Sequence, residues 1–505
     1  MKKPIISIGS GNWAVKNGEL LGYQEVHSNG FLPQILDSTR GSDKKVIGGD
    51  GILKSVGTEF SPEEAVSGGW ALAGEATISN GVARIYSSAG AYSSIRQFDT
   101  ITIGAEYIIS FNVIATNGAT LADNTNVNIF DTSTVGPKSF RITASEDDIA
   151  IKRNGGITDV TIDNISVKEV LIDTPAIDFK DDSNGVLLTD PQSTNLLENS
   201  ETFADWTENG TTVISTTTNS NPEGELSSQL LSGATDINWG SGSNALTKGF
   251  TVNSNSFYTF SVYVKSLAST SVNLQIRNNN TGGIDNVATS LNLNEWKRVS
   301  ITIKATATQT AAGLVIGGTD GDILIWGSQF EAQPRATSYI KTIDSIATRL
   351  EDTVIGRTTD AINSEEGVLY FYGKMSKHIA TYSMLSLHNA ANNGDDDVIA
   401  IGRKSDGTGY FRVIMNNISV INYIPVIDLT SDFNKIAIKY KSGNSSVFVN
   451  GVEVANSTTT FSGGLLELFQ FQWRTNSFRF AGETKEIQVY DYVPTYLELI
   501  ELTTL

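Results

Sequence analysis

Two runs of alternating apolar and polar residues occur twice in this chain at nearly constant spacing. Tyr107-Ile108-Ile109-Ser110-Phe111-Asn112-Val113 returns as Tyr258-Thr259-Phe260-Ser261-Val262-Tyr263-Val264, keeping Tyr, Ser and Val in register. Asp159-Val160-Thr161-Ile162-Asp163-Asn164-Ile165-Ser166-Val167 returns as Asp322-Ile323-Leu324-Ile325-Trp326-Gly327-Ser328-Gln329-Phe330. The offsets are 151 (107 to 258) and 163 (159 to 322), a difference of twelve residues. Alternation with period two gives a strand one apolar face, and a sandwich absorbs loop insertions at little cost. The chain therefore reads as two copies of one antiparallel sandwich, about 48–172 and 191–343, with Trp70 and Trp206 at matching opening positions.

Around these copies the pattern stays that of strands. Asn80-Gly81 separates Ala76-Thr77-Ile78-Ser79 from Val82-Ala83-Arg84-Ile85-Tyr86, and Asn450-Gly451 separates Ser446-Val447-Phe448-Val449 from Val452-Glu453-Val454. Asn-Gly between alternating runs is the strongest short hairpin signal, because both turn residues take positive φ. A third β unit spans 344–505 and opens on Gly367-Val368-Leu369-Tyr370-Phe371-Tyr372. Its last segment, Thr495 to Leu502, has the only clear helical spacing in the chain. Residues 1–47 show weak periodicity and read as a short arm that a partner orders, and the polar, proline-containing stretch 173–190 reads as a linker. The fold class expected is all-β: tandem antiparallel β-sandwiches with a short N-terminal arm.

Composition narrows the chemistry. The 505 residues contain no cysteine, so disulfides, Cys-ligated zinc and thiol nucleophiles are excluded. With 36 Lys and Arg against 55 Asp and Glu, the net charge of −19 suits a soluble chain and makes nucleic acid an unsuitable partner. Met1-Lys2-Lys3 leads into no sustained apolar core, so no signal peptide is expected, and no run is long and apolar enough for membrane insertion.

No catalytic constellation emerges, and the chain is expected not to be an enzyme. His27, His378 and His388 are the only histidines and lack metal-ligand spacing. Glu365 and Glu366 are adjacent on a strand and point to opposite faces, so they cannot form a hydrolytic pair by themselves. The densest acidic cluster, Asp395-Asp396-Asp397 after Asn392-Asn393-Gly394, offers hard oxygens to a Ca²⁺ ion, or else forms a solvated hairpin loop. For sugar binding, Trp473-Arg474-Thr475-Asn476 stands out, with Trp473, Arg474 and Asn476 supplying a ring, a donor fork and an amide. Trp473 reads equally as a plug of the sandwich core. Trp326 and the pair Ile323 and Ile325 face opposite sides of their strand, so only one of the two sets can line the core.

Two stretches resemble known families. Leu187-Leu188-Thr189-Asp190-Pro191-Gln192-Ser193-Thr194-Asn195-Leu196-Leu197-Glu198-Asn199-Ser200 with Phe203 and Trp206, closing with Ile325-Trp326-Gly327-Ser328-Gln329-Phe330-Glu331 and Ala336-Thr337-Ser338-Tyr339-Ile340, resembles carbohydrate-binding-module-like sandwiches of bacteriophage tail and fibre proteins. Asn434-Lys435-Ile436-Ala437-Ile438, the Val449-Asn450-Gly451 turn and Glu486-Ile487-Gln488-Val489-Tyr490 are similar to concanavalin A-like, laminin G-type lectin domains. These resemblances imply jelly-roll sandwiches in a virion appendage of tail-fibre or head-fibre type, assembled in the host cytoplasm. They also imply a homotrimer joined to other virion proteins through residues 1–47 and contacting a host cell-surface glycan through 344–505. A purely structural fibre, adaptor or decoration protein is the alternative, and a secreted polysaccharide-degrading enzyme the third.

Overall fold

The computed structural model describes residues 4–505 apart from 5, 10–12, 17–18, 24–25, 28–29, 32–35, 40–43, 48–52, 56–58, 62–68, 80, 99–100, 102, 170–175, 181, 183, 225, 239–242, 279–282, 307, 357–361, 378–379, 381, 391–395 and 474–477. Its elements are strands in antiparallel sheets and one helix, Tyr496–Thr503, among the described residues. The chain divides into two compact units, Ser55–Ile172 and Met1–Lys54 with Asp173–Leu505.

The unit 55–172 is one sandwich. One sheet runs Ala71–Ala73, Ser94–Gln97, Ile149–Arg153, Leu121–Ala122, Ile129–Phe130 in spatial order. The other runs Thr77–Ser79, Val82–Ser87, Thr158–Glu169, Glu106–Thr116, Gly136–Thr143. Ile85, Tyr107, Phe111, Phe130, Ile151 and Val160 fill the space between them.

Within the larger unit, a second sandwich repeats this order strand for strand. Thr207–Glu208, Leu246–Val252, Gln309–Gly317, Ser271–Asn278, Gly283–Ser290 form one sheet, and Val213–Thr216, Gln229–Ser232, Ile323–Glu331, Phe257–Ser266, Trp296–Lys304 the other. Trp206 is buried in its core, its ring 5.3 Å from that of Phe203 and 5.8 Å from that of Phe260. Along Ile323–Glu331 the core-facing residues are Ile323 and Ile325 and then Phe330, so the alternation slips by one place. The slip falls at Gly327, which has φ 63°. It leaves Trp326 on the opposite face, buried with Tyr263, Tyr339 and Leu53 in a separate cluster.

The third sandwich is built from both ends of the larger unit. One sheet runs Val452–Ser457, Ser445–Val449, Asn434–Lys441, Glu366–Met375, Gly482–Tyr490, Ile6–Gly9, Val26–His27, Gly30–Phe31. The facing sheet runs Ile418–Tyr423, Gly409–Met415, Val398–Lys404, Tyr382–His388, Leu468–Gln470. Leu369, Phe371, Leu385, Ile401, Phe411 and Ile487 are among the core residues between them. The turn residues Asn450 and Gly451 have φ 49° and 82°, as the hairpin signal requires. The helix caps itself: the Thr495 side chain accepts from the Glu498 backbone N–H, and the Glu498 carboxylate accepts from that of Thr495. Its Leu499 packs with Val368, Tyr370, Ala437 and Phe448.

Residues 1–47, expected to be ordered by a partner, are instead tied to their own chain at three places. Ile6–Gly9 pairs with Gly482–Tyr490, Ile6 opposite Val489 and Gly9 opposite Glu486. Leu36–Thr39 pairs with Thr353–Gly356. Lys44 is fully buried, its ammonium 3.2 Å from Asp190 Oδ2, also bonded to Asp352, and donating to the Leu188 carbonyl at 2.7 Å. Arg335 donates to Asp190 Oδ1 at 2.7 Å, and Ser338 Oγ to Oδ2 at 2.6 Å. Burial alone would raise the Asp190 pKa, but Lys44, Arg349 and Arg335 outweigh it and hold the carboxyl well below the usual carboxylate range. The stretch 173–190 likewise joins the sheet: Ile177–Asp178 pairs with Val186–Thr189, which pairs with Gly482–Tyr490 beside Ile6–Gly9. A four-residue strand carries no mark of its partner in the sequence, which is why these ties had to be seen in three dimensions.

Candidate binding faces

The sequence Ser271-Val272-Asn273-Leu274-Gln275-Ile276-Arg277-Asn278 alternates without a break. Val272, Leu274 and Ile276 enter the core of the second sandwich, which turns Asn273, Gln275 and Arg277 to the outer face of their sheet. Cross-strand register builds a row there: Thr247 opposite Val315, Val315 opposite Gln275, and Gln275 opposite Asn286. In the flanking rows Arg277 stands opposite Gly313, itself opposite Gly249, and Asn273 stands opposite Gly317. A Cβ on Gly249 would meet nothing within 4 Å, whereas one on Gly317 would lie 1.9 Å from the Asp236 carbonyl oxygen. Glycine at Gly317 thus lets the loop around Asp236 cross close to the sheet, and glycine at Gly249 leaves backbone bare. Thr247, Gln275 and Val315 are themselves buried, so the accessible part of this face is the exposed Gly249 backbone with the half-buried Asn273 and Arg277, an amide and a guanidinium able to bond sugar hydroxyls. Sequence reading passed over Asn273, Gln275 and Arg277, although the unbroken alternation of their strand was the signal that places them on one face.

The other face lies on the third sandwich and contains Trp473. This residue is buried, 6 % exposed, and packs with Met384, Val398, Ala400, Tyr410 and Ile414 on the outer side of the five-stranded sheet. The core between the two sheets is a separate cluster. Trp473 is therefore neither an exposed platform nor a plug between sheets. The Arg412 guanidinium lies 5.6 Å from its ring centroid and 5.8 Å from that of Tyr410. Arg474 and Asn476, grouped with Trp473 on sequence grounds, lie outside the described residues, so the group is represented here by Trp473 alone.

Of the acidic cluster, Asp395 lies outside the described residues. Asp397 has both carboxylate oxygens engaged by backbone, Oδ1 accepting from Asn416 N at 2.7 Å and Oδ2 from Leu465 N at 3.1 Å. The Asp396 carbonyl accepts from Asn417 N at 2.9 Å. These bonds cast Asp397 as a clamp between two loops. Among the described residues no three His, Cys, Asp or Glu side chains gather where a metal ion could sit. His388 is buried, with Nε2 3.1 Å from Gln470 Nε2 and Nδ1 3.3 Å from Ser386 Oγ; His378 and the His27 side chain are outside the described set.

Residues 195–320, most of the second sandwich, match the family described as "Carbohydrate binding domain". No curated protein matches the chain. Among solved structures, the chain is similar to the carbohydrate-binding module of a Ruminococcus gnavus intramolecular trans-sialidase bound to α2,3-sialyllactose, with 21% identity over 28% of this chain and 84% of the other, at a TM-score of 0.25. It is similar to the tandem carbohydrate-binding modules of Paenibacillus barcinonensis Xyn10C, with 12% identity over 55% of this chain and 98% of the other, at a TM-score of 0.22. It is also similar to domains LG4-5 of the mouse laminin α1 chain, with 11% identity over 48% of this chain and 86% of the other, at a TM-score of 0.20.

Proposed function

We propose that the chain is a glycan-binding protein without catalytic activity, and that the face bearing Asn273 and Arg277 is one of its sugar-binding surfaces. The observation that carries this reading is the match of residues 195–320 to a carbohydrate binding domain, because that segment contains the whole face. The face has the mixture a sugar needs, exposed backbone at Gly249 beside the hydrogen-bonding side chains of Asn273 and Arg277, and no opposed pair of acids lies among its described side chains.

The setting we propose is a bacteriophage appendage that contacts host surface polysaccharide. It rests on the sequence resemblance of 187–206 and 325–340 to fibre and tail sandwiches. An assembly of several copies would make weak single sites effective through avidity. The deciding experiment is a glycan array probed with the full chain and with Arg277→Ala, together with an assay for reducing sugar released from bacterial capsule. Binding that Arg277→Ala weakens, without sugar release, is the expected result. Sugar release would favour an enzyme, and an array without binding would favour a purely structural fibre.

A further inference from the structure

Arg412 and Arg298 are described arginines without an ion pair, and Arg298 is instead held by the Thr337 carbonyl and Ser261 Oγ. Arg84, Arg96, Arg335 and Arg479 each meet a carboxylate, and Arg403 donates to two backbone carbonyls. Arg412 makes one hydrogen bond, from Nη1 to Tyr410 Oη at 2.7 Å, and no ion pair among the described residues. Its Nε–H is shielded from water and meets no acceptor. A guanidinium kept between two rings with its Nε–H buried and unpaired incurs a desolvation cost that a ligand carboxylate would offset.

The surroundings have the make-up of a sugar site. Register across the sheet places Gln470 opposite Ser386, Ser386 opposite Ala400, Ala400 opposite Arg412, and Arg412 opposite Asn422. Gln470, Ser386 and Ala400 are buried, Ala400 against Trp473, so the accessible end of this row is the half-buried Arg412 with the exposed Asn422. Tyr410 borders it, and Tyr382 packs 5.2 Å from Tyr410 and 5.1 Å from Phe478. Phe478 is 40 % exposed and has φ 51°, a conformation that costs a bulky residue energy. Its backbone is pinned there, the carbonyl accepting from Met384 N at 3.0 Å, so the ring is held at the rim.

We propose that this outer face is a second sugar site, selective for acidic sugars, in which Arg412 receives the sugar carboxylate at Nη2 and, after a small rotation, at Nε. Tyr382 and Phe478 provide the apolar wall, and Asn422 bonds hydroxyls. This rests on the reading of the chain as glycan-binding but concerns a separate sandwich. The net charge of −19 repels polyanions at long range, so recognition here would be short-range and bidentate.

The test is calorimetric titration of the full chain with oligogalacturonate, with its methyl ester, and with an alginate oligosaccharide as a second source of uronate. At least one uronate is expected to bind, and galacturonate at least about tenfold tighter than its ester if it is the one that binds. Arg412→Gln should abolish uronate binding, and Arg412→Lys, which keeps the charge and loses the fork, should weaken it by a similar factor. Three results overturn the inference: no binding of either uronate, an ester that binds as well as its acid, or uronate affinity unchanged in both Arg412 variants. Array binding that depends on Arg277 bears on the second sandwich alone, so the two readings can fail separately.

Discussion

Asn164 and Gly327 occupy one position in two copies of a fold. They are related by the 163-residue offset of the repeat, and each stands where its strand changes phase, with φ 53° and 63°. In the first copy the core residues are Val160 and Ile162 before Asn164, and Ile165 and Val167 after it. Left-handed backbone there is a requirement of the fold, met by the two residue types that adopt it most readily. Asn164→Gly is expected to change stability by less than about 0.5 kcal/mol. Gly327→Ala should cost about 2 kcal/mol, since its Cβ would lie 3.0 Å from Tyr263 Cδ2 and 3.3 Å from Tyr339 Cε2. Denaturant midpoints of the two variants decide the matter.

Lys44→Met should destabilise the larger unit by about 3 kcal/mol, because it leaves Asp190 and Asp352 buried without their ammonium. The accompanying pH dependence has a definite sign. The folded-state pKa of Asp190 is depressed, so its contribution is complete above the unfolded value of about 3.9 and fades as pH falls below it toward the folded value. The stability penalty of Asp190→Asn should therefore be constant from pH 5 to 7 and shrink in more acid solution, measured by denaturation at a series of pH values.

The strand Ile6–Gly9 covers an edge that would otherwise be open. Gly9 has φ 120°, and a Cβ there would come 2.1 Å from the Lys485 carbonyl oxygen. Gly9→Val should detach the strand. Amides of 486–489 should then lose hydrogen-exchange protection while those of 398–404, in the facing sheet, keep theirs. Equal protection in variant and parent would show that the strand contributes little.

On the second sandwich, Arg277→Ala should reduce glycan affinity by about tenfold with little change in melting temperature, as expected for loss of one charge-assisted hydrogen bond from a partly exposed side chain. Glu295→Ala, at an exposed turn, should leave affinity unaltered. Parallel titration of both variants with an array-positive glycan checks this.

What the sequence made legible follows the range of the interactions. Asn450-Gly451, the helix opening at Thr495 and the strands of the repeat depend on neighbours a few residues apart, and their patterns are visible in the chain itself. The burial of Lys44 depends on Asp190 and Asp352, far away in sequence, and a lysine beside Lys45 in a polar stretch gives no sign of them. Trp473 shows a different limit. Its side chain is buried as a plug would be, but against the outer face of a sheet, and period-two alternation does not say what covers that face. Alternation places Arg412 and Gln275 on the outer faces of their sheets, yet it does not tell that Arg412 stays partly open while Gln275 is buried.

The pairing of Ile6–Gly9 with 486–489 also sets the order in which this polypeptide can mature on a ribosome. The second sandwich draws all its strands from one continuous stretch and can close during translation. The third must hold its earliest-made strand in waiting until almost five hundred further residues have emerged. Throughout that interval the strand can pair with the nearby Val26–His27 on one edge, while the edge that meets 486–489 stays open.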